Sequence, residues 1–257
     1  MYAYTFIGIL LPFIGTVLGA ALVFFMKKEI GNHIQKSLSG FAAGVMIAAS
    51  VWSLLIPAME YESSLLLGNF AFLPAILGLW SGILFLIFAQ RFTKKIDENE
   101  LFKRSKRTFG ENAMLFWTVS LHNLPEGMAV GVVFAAFIAS PTIETLGTAI
   151  VLSFGIAIQN IPEGAIISMP LHAGGTSKRR SFFVGAVSGA IEPIGAALTV
   201  VAISVILPTL PFLLGFAAGA MIYAVINELI PRLDTKTGII SFATGFSVMM
   251  ILDVMLG

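Results

Sequence analysis

A chain of 257 residues that is 57% apolar and 11% charged, with a mean hydropathy of +0.94, cannot cover itself with a polar surface. A water-soluble globule is excluded, and the composition is that of an all-α, polytopic membrane protein. The net charge of +1 gives no reason to expect a nucleic-acid partner, and the lack of cysteine removes both disulfides and thiolate metal ligands.

A hydrocarbon layer about 30 Å thick requires roughly 20 apolar residues per helix. Eight such segments follow one another: span 1 near residues 4–25, span 2 near 38–58, span 3 near 70–90, span 4 near 112–138, span 5 near 143–169, span 6 near 182–206, span 7 near 210–230 and span 8 near 238–256. They leave little room for a soluble domain, so residues 1–257 are expected to form one transmembrane domain. Span 1 lacks a basic leader and runs straight into Lys27 and Lys28, the pattern of a retained span rather than a cleaved signal peptide. The longest polar interruption, residues 91–111, holds no His or Cys and reads as a solvated cytoplasmic loop between spans 3 and 4.

All fifteen Lys and Arg residues fall in four loops: Lys27, Lys28 and Lys36; Arg91 through Arg107; Lys178, Arg179 and Arg180; and Arg232 with Lys236. The termini and the alternate loops contain none. By the positive-inside bias those four loops are cytoplasmic, which requires an even number of spans in the cell membrane with both termini outside.

A repeat divides the chain further. Gly40-Phe41-Ala42-Ala43-Gly44-Val45-Met46-Ile47 in span 2 returns as Gly215-Phe216-Ala217-Ala218-Gly219-Ala220-Met221-Ile222 in span 7, with seven of eight positions matched. Leu18-Gly19-Ala20-Ala21-Leu22 in span 1 is echoed by Ile194-Gly195-Ala196-Ala197-Leu198 in span 6 at nearly the same offset. Spans 2 and 7 run in opposite directions, so the copies are related by inversion, as in many secondary transporters. Spans 1–3 and 6–8 become the repeats and spans 4 and 5 a central hairpin, an eight-helix 3+2+3 inverted-repeat arrangement. Each octapeptide contains G-x-x-x-G, which lets helices approach closely in lipid.

The chemistry concentrates in the hairpin. His122-Asn123-Leu124-Pro125-Glu126-Gly127 in span 4 recurs 37 residues later as Gln159-Asn160-Ile161-Pro162-Glu163-Gly164 in span 5. Ionisable groups at that depth are costly, and two matching sets read as a polar site rather than as helix-to-helix glue. At about 100° per residue, Asn123 lies about 100° and Glu126 about 40° around the helix from His122, so the three share one face. Gln159, Asn160 and Glu163 repeat that geometry. The two motifs are equidistant from the turn around Pro141 and Thr142, so in an antiparallel hairpin they meet at one depth. Pro125 and Pro162 free backbone carbonyls, and Glu192 in span 6 adds a third carboxylate. Three carboxylates cannot stay ionised together there without a cation. One imidazole with carboxylate and amide oxygens suits a divalent first-row metal better than Ca²⁺ or Mg²⁺. Met46 offers a thioether but reads first as packing. His33 and His172 read as solvated loop residues, Asn227 and Glu228 as a gate or proton relay near the inner end, and Glu60 and Asp253 as water contacts near outer helix ends.

With eight spans, a polar loop after span 3, H-N-x-P-E-G in span 4 and Q-N-x-P-E-G in span 5, the chain resembles the ZIP (Zrt- and Irt-like protein) family of divalent-metal transporters over essentially its whole length. The resemblance implies import of zinc, or of cadmium, iron or manganese, through a binuclear centre within the membrane. It places His122, Glu126, Gln159, Glu163 and Met46 at a first metal position, and Asn123, Glu126, Asn160, Glu163 and Glu192 at a second. Members that carry aspartate where Asn160 stands would hold the second ion more tightly, so Asn160→Asp is expected to raise its occupancy. The resemblance also implies a sliding of spans 1, 4, 5 and 6 against spans 2, 3, 7 and 8, and a homodimer. The metal is cargo, with no cofactor beside it. Two other readings are an intramembrane metal-dependent hydrolase, disfavoured because H-E-x-x-H is absent, and a metal-gated channel or sensor, disfavoured by the inverted repeat.

Overall fold

The computed structural model describes residues 1–26, 31–63, 70, 72–97, 112–202 and 209–256, and within them it is all helix and turn. Span 1 is α1 (Tyr2–Ala21), closed by the 3-10 turn Leu22–Phe25. Span 2 is α2 (Asn32–Ala49), a π-helical turn Ser50–Leu55 and α3 (Ile56–Ser63). Span 3 is α4 (Phe72–Asp97), span 4 is α5 (Asn112–Ala139) and span 5 is α6 (Ile143–Ala173). Span 6 comprises α7 (Lys178–Ser188) and α8 (Ile191–Val201). Span 7 is α9 (Leu210–Ala224) with a π-helical turn Val225–Leu229, and span 8 is α10 (Lys236–Leu256). Among the described residues seven helical stretches are long and apolar enough to cross a membrane; α5, of 28 residues, contributes the shorter apolar stretch Asn123–Ala139.

Two expectations change. Helix α4 carries past Arg91 to Asp97, so the polar loop begins later than residue 91, and residues 98–111 lie outside the described residues. Span 6 is not one rod: it breaks at Gly189 and Ala190, where the backbone bonds tighten to Gly189 N to Ala186 O (3.2 Å) and Ala190 N to Val187 O (3.0 Å). The cause sits four residues on, where the ring of Pro193 would collide with the carbonyl of residue 189 in a regular helix. The two π-helical turns have the same origin. Each runs into the tripeptide Leu-Ile-Pro, at Pro57 and at Pro231, whose missing N–H spoils the regular ladder one turn back. By contrast, α5 and α6 run unbroken through Pro125, Pro162 and Pro170.

Four lengthwise pairings organise the bundle: α1 on α6, α5 on α8, α2 on α10 and α4 on α9. The G-x-x-x-G copies make two of them. Gly40 and Gly44 rest against the carbonyls of Gly238 and Phe242 in α10, and Gly215 and Gly219 against those of Ala75 and Leu79 in α4, with no space for a side chain. Where the pairs meet, α2 lies on α6 and α9 on α5, with Ala42, Ala43, Ala217 and Ala218 buried in the apolar core.

Two of the described lysines tie neighbouring segments together at one end of the bundle. Lys36 forms an ion pair with Asp234, and its ammonium holds that carboxyl below the ordinary range. Lys178 donates to the carbonyls of Phe24 (3.0 Å) and Met26 (2.7 Å), closing the C-terminal end of span 1. At the other end, the α5–α6 turn is capped reciprocally. Thr145 N donates to Thr142 Oγ1 (3.1 Å) and Thr142 N to Thr145 Oγ1 (3.1 Å), which starts α6 directly after α5 ends and sets the two helices antiparallel.

Candidate metal centre

The hairpin brings the two repeated motifs to one depth, as their spacing from the turn requires. Gln159 Nε2 donates to Glu126 Oε1 at 2.9 Å, joining α6 to α5. Asn123 Nδ2 donates to Glu192 Oε1 at 2.9 Å and faces the Ser188 carbonyl at 3.5 Å, joining α5 to the broken span 6. Asn160 Nδ2 donates to the Pro12 carbonyl of α1 at 3.4 Å and lies beside Glu192. The glycine after each glutamate permits this convergence: Gly127 sits against the Glu192 backbone and Gly164 against the Thr16 carbonyl, where any Cβ would collide. Asn123, Glu126, Gln159, Asn160 and Glu192 are all fully buried.

Each of the six polar residues keeps one buried oxygen with no hydrogen-bond partner: Asn123 Oδ1, Glu126 Oε2, Gln159 Oε1, Asn160 Oδ1, Glu163 Oε2 and Glu192 Oε2. The amide orientations follow from their neighbours, since a carboxylate or carbonyl oxygen accepts and so must face the NH₂. That turns the amide oxygens the other way. Buried acceptors without donors are rare in folded proteins because each forfeits its solvation, and six in one neighbourhood call for a positive charge. Glu126, Glu163 and Glu192 stand within electrostatic reach of one another, which adds like-charge repulsion that a dication would remove. An all-oxygen set of this kind, extended by one imidazole or thioether, is chemically suited to a borderline divalent ion.

The other sequence candidates are placed unevenly. His122 lies on α5, in the turn that carries Asn123 and Glu126, and its side chain falls outside the described residues. Met46 is buried in the apolar core of α2, which packs on α6, and its carbonyl accepts from Ser50 Oγ at 2.8 Å. Among the described residues no three His, Asp or Glu side chains close on a single point as a finished coordination sphere would. His33 is exposed, and His172 Nδ1 pairs with the Thr176 carbonyl at 2.8 Å in the α6–α7 turn. Glu228 accepts from Gln90 Nε2 at 3.1 Å, and Gln90 Oε1 accepts from Tyr223 and Asn227, so these residues form one hydrogen-bonded group. Glu60 is exposed, as expected, but Asp253 is not a water contact. It is buried and accepts from Ser53 Oγ at 2.6 Å, because the π-helical turn directs Ser53 toward α10. Sequence reasoning missed α1 altogether as a source of site residues, yet Pro12 and Thr16 both bond into it.

A family model described as "ZIP Zinc transporter" matches residues 104–253, the part of the chain that contains both motifs and Glu192. Zinc transporter ZIP11 of Xenopus tropicalis is 34% identical, over 98% of this chain and 96% of its own length. Zinc transporter ZIPB of Bordetella bronchiseptica is 35% identical over 99% of this chain and 82% of its own, and zinc transporter GufA of Myxococcus xanthus 35% over 95% and 96%. A helical bundle of membrane-spanning length, built around buried oxygens on a repeated N-x-P-E-G motif, and matched end to end by these relatives, belongs to the ZIP family of divalent-metal transporters.

Proposed function

We propose that the protein imports divalent metal ions, zinc first among them, into the cytoplasm through a binuclear site midway across the membrane. The observation that carries this reading is the set of six buried, donorless oxygens on α5, α6 and α8. Glu126 and Glu163 bridge two positions. His122, Gln159 and Met46 complete the first, and Asn123, Asn160 and Glu192 the second. Zinc is favoured because an imidazole and a thioether join the oxygens at the first position, and because the relatives above are named as zinc transporters.

The transport architecture in this reading is eight spans in a 3+2+3 inverted repeat, with both termini outside. Three features support it. The G-x-x-x-G copies pack on different helices in the same manner, α2 on α10 and α9 on α4. Both are followed by a π-helical turn whose last residue opens the tripeptide Leu-Ile-Pro. The ties made by Lys36 and Lys178 put cationic loops at one end. The family resemblance divides the helices into two sets, α1, α5, α6, α7 and α8 against α2, α3, α4, α9 and α10; each of the four lengthwise pairings lies within one set, and alternating access follows from one set sliding along the other. The test is uptake by the purified protein in liposomes, comparing zinc, cadmium, iron(II) and manganese with and without a pH gradient. Saturable, protein-dependent zinc accumulation is the expected result. Uptake of none of these ions above empty liposomes would overturn the reading.

A further inference from the structure

Helix α1 carries no Asp, Glu, His, Lys or Arg, yet it reaches the candidate centre at two points one turn apart. Thr16 is fully buried, and its hydroxyl donates to Glu192 Oε1 at 2.9 Å. A buried helical threonine ordinarily spends that proton on the carbonyl four residues back. Here the Pro12 carbonyl is 3.5 Å away, at the limit of a hydrogen bond, and it also receives Asn160 Nδ2 at 3.4 Å. The threonine proton is thus directed to the carboxylate.

Two donors, Thr16 Oγ1 and Asn123 Nδ2, converge on the same oxygen of Glu192, and the other oxygen, Oε2, has no partner. A carboxylate held through one oxygen cannot spin about its last bond, so the free oxygen keeps one direction. Thr16 and Glu192 are 176 residues apart, the offset that superimposes Leu18-Gly19-Ala20-Ala21-Leu22 on Ile194-Gly195-Ala196-Ala197-Leu198. Their surroundings match as well, since the backbone of Thr16 seats Gly164 just as that of Glu192 seats Gly127. The hydroxyl therefore occupies, in one half of the molecule, the place that the carboxylate occupies in the other.

Building on the proposed metal site, we propose that Thr16 is a positioning residue for the second metal position: its hydroxyl fixes Glu192 so that Oε2 faces the ion, while the neighbouring Pro12 carbonyl holds the Asn160 amide so that Oδ1 does the same. One helix thereby orients one oxygen donor of the central hairpin and one of span 6. The competing role is packing alone, because the Thr16 side chain also fills the space beside Gly189.

Two substitutions separate the roles. Thr16→Val keeps the packing volume and removes the donor; Thr16→Ser keeps the donor and removes a methyl group. Zinc titration calorimetry on the purified full-length protein is expected to show two binding events in the wild type. Thr16→Val weakens the weaker event about tenfold, the size expected when a ligand loses its orienting hydrogen bond, and leaves the tighter one within about twofold. Thr16→Ser restores wild-type affinity. Identical affinities in Thr16→Val and wild type, or a Thr16→Ser protein as weak as Thr16→Val, would overturn the proposal. A wild type that binds no zinc would instead overturn the metal reading beneath it. Infrared spectra without metal then read the contact by itself. A carboxyl band that is absent in Glu192→Gln must shift between wild type and Thr16→Val, and an unmoved band would show that the hydroxyl does not hold Glu192.

Discussion

At Asn160 two electrostatic effects compete over what an aspartate would do. A carboxylate there gains attraction for a nearby dication, on the order of 4 kcal/mol for each pair of unit charges at about 4 Å and an effective dielectric of about 20. Against this, the amide NH₂ that now faces the Pro12 carbonyl and lies beside Glu192 is lost and acceptors face each other, a penalty of about 1–3 kcal/mol. With the ion bound, attraction wins; without it, only the penalties remain, increased by repulsion from Glu192 beside it. Asn160→Asp is therefore expected to melt at a lower temperature than wild type in chelator, yet to show the larger upward shift when zinc is added. Thermal unfolding in both conditions checks this, and equal melting in chelator would mean that the Pro12 contact contributes nothing. The sequence made the charge difference legible, but not the opposing carbonyl, because a backbone oxygen on another helix leaves no mark in residue type. Thr16 was closer to view. The repeat that aligns Gly19 with Gly195 also aligns Thr16 with Glu192, and only the mismatch of hydroxyl against carboxylate hid it.

At the scale of elements, the site depends on how near α1 and α8 come to the hairpin, and glycine sets that distance. Gly164 touches the Thr16 carbonyl, so a valine there must push α1 outward. Overpacking of this kind costs about 1–3 kcal/mol, and it would also draw Thr16 and Pro12 away from Glu192 and Asn160. Gly164→Val should lower both the melting temperature and zinc affinity. Gly174→Ala, whose Cβ would meet the Pro170 carbonyl at an ordinary 3.4 Å, should change neither. Equal zinc binding by wild type and Gly164→Val would show that close approach of α1 does not shape the site. The helices themselves were legible from hydropathy and length, because lipid demands long apolar runs whatever their internal geometry. The break at Gly189 and Ala190 was not, since hydropathy is unchanged across it and the proline responsible stands four residues downstream. The π-helical turns before Pro57 and Pro231 escaped notice for the same reason, and with them the burial of Asp253 against Ser53.

At the scale of the whole molecule, the proposed sliding of two helix sets can be arrested where they touch. Gly155 of α6 and Met249 of α10 belong to opposite sets, and Met249 Cγ lies 4.0 Å from where a Cβ on Gly155 would stand. The chain has no cysteine of its own, so Gly155→Cys with Met249→Cys introduces a single cross-linkable pair. Cross-linking it in liposomes should stop zinc uptake, and reduction should restore it; undiminished uptake by fully cross-linked protein would rule out relative movement at this contact. The repeat between spans 2 and 7 was visible in seven matched residues of eight, whereas the pairing of each copy with a different helix needed the fold. All of this rests on a cation being held between Glu126 and Glu163. The most direct measurement is zinc uptake into liposomes by the Glu126→Gln/Glu163→Gln double variant beside wild type, with equal amounts of folded protein verified in both membranes. Loss of uptake to the level of empty liposomes is the predicted result, because both bridging charges are gone while shape and hydrogen-bonding capacity are kept. Uptake near the wild-type rate would contradict the account.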